Sequence, residues 1–152
     1  MSVETKIKSS PTAAQIKELP LNNRGRRGDT DHKMLWKALE DIGRPEYYED
    51  ADLIGREYWA WEIRSIEEYR EPIRLKYLKT QKVFYEIPIE ERKRYSSLGT
   101  QLRLWRHLQL EGHECYKDEF KIGENEDSFR NNTRLWRLMC EGANDPDIYY
   151  IP

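Results

Sequence analysis

Cysteine is nearly missing from this sequence: Cys115 and Cys140 are the only two in 152 residues. Two unpatterned thiols build neither a disulfide scaffold nor a four-ligand zinc site, and they point to a reducing compartment. Long apolar runs are also missing. No stretch reaches the length of a membrane span, and the N-terminus lacks the apolar segment of a secretion signal. An excess of charge of one sign is absent too, because the formal net charge is only −2, so no global field draws the chain to nucleic acid or to an anionic membrane. The sequence therefore reads as a protein of the cytoplasm, or of a particle assembled inside the cell, with no membrane partner.

Signatures of chemistry are equally scarce. Gly25 to Gly28 is too short for a phosphate-cradling loop and is followed by no Lys-Ser/Thr pair. His107, His113, Cys115 and Cys140 are the only candidates for a shared metal or a nucleophile with its base. They lack the close Cys or His spacing that zinc sites favour, and an orienting third group for catalysis cannot be located. Glu62, Glu67, Glu68 and Glu71 alternate with Arg64, Arg70 and Arg74 at helical spacing, which is the pattern of a solvated ion-pair face. No catalytic residue, cofactor or metal is assigned, and the chain reads as a non-enzyme.

What is present is charge and large aromatics. Charged residues make up 36% and apolar ones 38%, with ten Tyr and five Trp. A few big rings, each able to bury roughly 150–250 Å², must replace many aliphatics in the core. Arg outnumbers Lys, which suits planar contacts to carboxylate, phosphate or aromatic faces.

A local motif recurs three times, at Leu35-Trp36-Lys37, Leu104-Trp105-Arg106 and Leu135-Trp136-Arg137. In each copy an apolar residue follows the Trp by three (Leu39, Leu108, Met139), and a Gly closes the segment (Gly43, Gly112, Gly142). The spacing places Trp and its i+3 partner on one helix face, and the Gly supplies a left-handed cap. Trp36, Trp105 and Trp136, with Trp59, are the expected core anchors.

Along the chain, residues 1–29 form a basic arm. Its one periodic piece contains Ala13, Ile16 and Leu19 and ends before Pro20. With Ile16 and Leu19 as its only core residues, removing residues 1–28 is expected to leave the fold nearly unchanged. Residues 30–142 are expected to be a single helical domain, and 143–152 an extended tail. The first helix should start at Asp29, Thr30 or Asp31 and stop at Gly43. A second runs from about Asp52 along Trp59, Ile63, Ile66, Arg70, Ile73 and Tyr77, with a break near Glu71 caused by Pro72. Val83, Tyr85, Ile87 and Ile89 alternate with a period of two, which suggests an edge strand, with Ile148 to Ile151 as the only candidate to pair with it. A third long helix extends from Pro88 to Glu111 unless Gly99 interrupts it, and the last starts at Asp127 or Ser128.

The reading is a mostly α protein: an irregular bundle of four or five helices with a minor extended element and an extended basic N-terminal arm. The favoured function is a non-catalytic structural or adaptor subunit of a larger assembly, such as a virion or a ribonucleoprotein-type particle, with protein partners that include copies of itself. The alternative is a small nucleic-acid-binding protein gripping phosphate through Arg24, Arg26, Arg27, Arg92, Lys93 and Arg94. A small intracellular enzyme using the His113 and Cys115 turn ranks below both.

Overall fold

The structure, a computed structural model, describes residues 11–152, and the part of the basic arm that carries Lys6 and Lys8 lies outside the described residues. Seven α-helices and no β-strand occur among the described residues: α1 (Pro11–Lys17), α2 (His32–Asp41), α3 (Ala51–Tyr58), α4 (Arg70–Glu86), α5 (Ile89–Arg92), α6 (Thr100–Leu110) and α7 (Glu126–Gly142). The only extended pairing among them is an isolated antiparallel bridge between Leu21 and Arg27. None of the helices is long and apolar enough to cross a membrane. The chain divides into two units, residues up to Ser65 with Asp118–Lys121, and Ile66–Lys117 with Ile122–Pro152. The boundary at Ser65 falls inside the stretch read from sequence as one helical domain.

The first unit is built around Trp36, Trp59 and Trp61, packed with Ala13, Ile16, Leu35, Leu39, Ala51 and Ile54. Asp31 caps α2 by accepting from the Met34 amide at 2.9 Å. At the other end Gly43 takes φ +74°. The Gly43 amide donates to the Glu40 carbonyl at 3.0 Å and the Arg44 amide to the Leu39 carbonyl at 2.8 Å, the paired bonds of a left-handed glycine cap. The stop expected at Gly43 is therefore present. The second helix does not continue as expected. α3 ends at Tyr58, Ala60 adopts φ +56°, and residues 60–66 leave the helical path. Trp59 and Trp61 turn inward instead, and the Trp61 indole donates to Thr30 Oγ1 at 3.1 Å. Gly55 is what lets that ring in: a Cβ there would lie 2.1 Å from Trp61 Cε3.

Ala13, Ile16 and Thr30 tie residues 13–30 to this core. Ala13 and Ile16 are buried, and the loop from Pro20 to Gly28 closes on itself. The Asn22 side-chain amide donates to the Gly28 carbonyl at 2.7 Å, while its Oδ1 accepts from the Arg24 amide at 2.8 Å and the Arg26 amide at 3.1 Å. Gly25, at φ +76°, sits so close to residue 62 that a Cβ would lie 2.3 Å from the Glu62 carbonyl oxygen. The sequence expectation of an arm with little stake in the fold is corrected by these contacts.

In the second unit α4 begins two residues before Pro72, which lies in the first turn, where its missing amide would have no intrahelical partner anyway. The break expected at Glu71 is thus a helix start. Val83, Phe84, Tyr85 and Glu86 complete α4, so the period-two pattern there is not a strand: Phe84 is fully buried, Tyr85 is exposed, and their alternation is that of the two sides of a helix. The long helix expected from Pro88 to Glu111 is two helices. Lys93, in the left-handed region at φ +59°, ends α5, and a loop follows that lasts to Gly99. α6 then ends at Gly112 with the cap seen at Gly43: the Gly112 amide donates to the Gln109 carbonyl and the His113 amide to the Leu108 carbonyl, both at 3.0 Å. α7 starts at a reciprocal capping box between Asn125 and Ser128, two residues ahead of the expected Asp127. Gly142 plays a different part from the other two closing glycines. It lies within α7, where a Cβ would come 2.6 Å from Val83 Cγ1, so it permits close packing of α7 on α4.

The core of this unit holds Phe84, Leu98, Leu102, Leu110, Leu135, Trp136, Met139, Cys140 and Ile148. Residues 143–152 are non-helical; Ile148 among them is buried, and the Ile151 carbonyl accepts from Arg106 Nη1 at 2.7 Å.

Candidate anion-binding cleft

The loop after α5 and the first half of α7 enclose an open cleft of about 630 Å³ lined by Lys93, Arg94, Asp127, Ser128, Arg130, Asn131, Asn132 and Arg134. Four cations and one carboxylate make this a positive site on a chain whose net charge is −2. Helical spacing brings Arg130 and Arg134 to one face of α7. Asn131 stitches the two sides, its Nδ2 donating to the Arg92 carbonyl at 3.1 Å, and Arg134 Nη2 donates to the Glu91 carbonyl at 2.5 Å and to Asn131 Oδ1 at 2.7 Å. Arg94 is fixed by three neutral acceptors, the Ser96 carbonyl at 2.7 Å, the Ser97 carbonyl at 2.9 Å and Asn132 Oδ1 at 2.8 Å.

None of Lys93, Arg94 and Arg134 forms an ion pair among the described residues; Arg130 does, with Glu126 at 2.9 Å and Asp127 at 2.5 Å. Carbonyl and amide oxygens hold the guanidinium groups in place without cancelling their charge. Lys93 is exposed, and its ammonium group makes no hydrogen bond or ion pair among the described residues. Cations oriented in advance and left unneutralised are suited to an anion that arrives from outside, and a guanidinium also matches the oxygen geometry of phosphate.

The other basic residues singled out from sequence are elsewhere. Arg24 pairs with Asp118 at 2.7 Å and Glu119 at 3.1 Å, and Arg26, buried, pairs with Glu119 and stacks 5.3 Å from the Trp61 ring. The Arg24 guanidinium holds the Asp118 carboxyl below its usual range. Arg27 Nε donates to the Ala60 carbonyl at 3.0 Å. Arg92 is buried over Phe84, its guanidinium carbon 4.9 Å from the ring centroid, so of the run 92–94 only Lys93 and Arg94 reach the cleft. Arg130, Asn131, Asn132 and Arg134 were not among the sequence candidates. Their signal was there: two arginines four apart, with no acidic residue between them.

Trp36, Trp59 and Trp136 are buried; Trp105 is only half-buried, with the Arg106 guanidinium 4.3 Å from its ring. The three repeats therefore share no common core, as Trp36 belongs to the first cluster and Trp136 to the second. α6 turns Arg103, Arg106 and His107 inward in place of Trp105. Arg103 lies 3.7 Å over the Tyr77 ring, donates to the Tyr77 carbonyl at 3.2 Å and to Ser97 Oγ at 3.3 Å, and also bonds the side chains of Thr80 and Gln81. Burial pulls Arg103 down to about 10. Burial, reinforced by the Arg103 and Lys76 charges, pulls His107 down to about 3. Burial pushes the Cys140 thiol up to about 12. At neutral pH the imidazole is uncharged and the thiol keeps its proton, so little thiolate is present. His113 stacks edge-on with Tyr69 at 5.2 Å, and Cys115 is half-buried. No three His, Cys, Asp or Glu among the described residues gather as a metal site. The chain matches no protein-family model, no curated protein and no solved structure with which it was compared.

Proposed function

We propose that this protein is a non-catalytic subunit of a larger macromolecular assembly, a virion or a ribonucleoprotein-type particle, and that it meets a phosphate-bearing component of that assembly through the cleft of Lys93, Arg94, Arg130 and Arg134. The observation that carries this reading is the cleft itself, where three cations are positioned or left exposed without a carboxylate. Support for protein partners comes from α4, which leaves Leu75, Leu78 and Tyr85 each more than half exposed along one helix. Apolar side chains gathered in this way on a highly charged surface are typical of contact sites. The rival reading, a free-standing nucleic-acid-binding protein, uses the same cleft, and the requirement for a second protein separates the two.

The protein carrying Lys93→Glu and Arg134→Glu should keep its far-UV circular dichroism and lose co-sedimentation with the particle isolated from its native source. Lys93→Glu alone, which disturbs no internal contact, should weaken it. Undiminished co-sedimentation of both variants would contradict the proposal.

A further inference from the structure

Tyr95 is the most exposed large hydrophobic side chain among the described residues, at 82%. It lies in the loop that forms one wall of the cleft, one residue beyond Arg94 and two beyond Lys93. Its backbone is fastened although its ring is not: the Tyr95 carbonyl accepts from Arg92 Nη1 at 3.3 Å, and the next two carbonyls accept from Arg94. An aromatic ring held out in water by a braced loop gains nothing for the fold, while it offers a flat face to a ligand at small entropic cost.

We infer that the cleft takes single-stranded nucleic acid, with Lys93, Arg94 and Arg134 on successive phosphates and an unpaired base stacked on Tyr95. This rests on the phosphate-binding reading of the cleft and gives its substrate class. Cations that follow the backbone and an aromatic that stacks a base are the two components of single-strand recognition, and stacking is tolerant of sequence because every base has a π-face. A duplex fits poorly on two counts. Its bases are already stacked on one another, so Tyr95 finds no open face, and its rigid rod would bring further phosphates against a chain that is acidic overall. A flexible strand can enter the local positive cleft and leave the remaining surface alone.

The test is fluorescence anisotropy of the full chain with three probes: labelled oligothymidylate, its duplex with oligoadenylate, and inorganic polyphosphate as competitor. The single strand should bind more tightly than the duplex. Tyr95→Ala should weaken single-strand binding by between about fivefold and about a hundredfold, the range of one base stack, while Tyr95→Phe keeps it. Lys93→Ala should lower the slope of log affinity against log salt by about 0.7, the value for one single-strand phosphate contact. Equal affinity for strand and duplex, or an unchanged affinity on Tyr95→Ala with polyphosphate still competing, would overturn this inference and leave the phosphate-binding reading standing. Absence of binding to all three probes at low salt would overturn both. Tyr95 is too exposed for its replacement to unfold the chain, so the variant isolates the stack.

Discussion

Single side chains divide here into those that hold the core and those left to act outside it, and the division does not follow polarity. His107 and Arg103 are each 1% exposed, whereas Trp105 is half-buried. A buried guanidinium with neutral acceptors and a buried neutral imidazole have a consequence for acid stability. The folded His107 titrates near 3 and the unfolded residue near 6.5. Between those values the unfolded chain binds a proton that the folded chain refuses, so stability is complete above about 6.5 and falls as pH drops toward 3, at up to about 1.4 kcal/mol per pH unit. Chemical denaturation across that window should show His107→Gln with a shallower pH dependence than the natural protein; parallel curves would mean that the imidazole is not buried as described. The tryptophans make a second test at this scale. Trp36→Ala and Trp136→Ala should each cost about 3–5 kcal/mol, and Trp105→Ala only about 1 kcal/mol, the typical loss for a site that is not fully buried. Equal losses at Trp105 and Trp136 in thermal melts would refute the assignment of Trp105 to the core's edge.

At the scale of elements, local signals were readable where backbone chemistry dictates them. Asp31, Gly43 and Gly112 stop or start helices where the sequence says they should, because a cap depends on one or two residues and their own amides. Packing was less readable. The third closing glycine, Gly142, looks the same in sequence but serves the approach of Val83, which is distant along the chain. The phase of α6 differs from the expected one because Arg103 and Arg106 find carbonyl and hydroxyl partners supplied by Tyr77, Thr80 and Ile151, none of which a periodicity argument can see. The basic loop is the same lesson: Arg24 and Arg26 look solvated until residues 118 and 119 provide carboxylates nearly a hundred positions later. Half of the candidate cleft, Lys93 and Arg94, was legible as a basic run; the half on α7 depends on how that helix lies against the loop. A direct consequence concerns the segment before α2. Deleting residues 1–28 removes Ala13, Ile16, the Gly25 contact with Glu62 and the Arg24 and Arg26 ion pairs. Loss of one buried Ile alone costs about 2–5 kcal/mol, so hydrogen exchange in α2 and α3 should accelerate strongly in the truncated protein. Unchanged protection there would restore the picture of a dispensable arm.

Taken whole, the molecule is a mostly helical chain of two units whose near-neutral net charge hides an uneven distribution. The first unit consumes Arg24, Arg26 and Arg27 internally, against Asp118, Glu119 and the Ala60 carbonyl. The second leaves Lys93, Arg94 and Arg134 without carboxylate partners around one cleft. The account's central claim is that this second site, and not the more conspicuous Arg24 to Arg27 run, is where the protein meets phosphate. Amide chemical-shift mapping of the full chain titrated with oligothymidylate tests it directly. The account predicts saturable shifts confined to residues 93–97 and 127–134, with the amides of residues 22–28 unmoved. Shifts centred on the loop from Asn22 to Gly28, or no saturable shift at low salt, would contradict it.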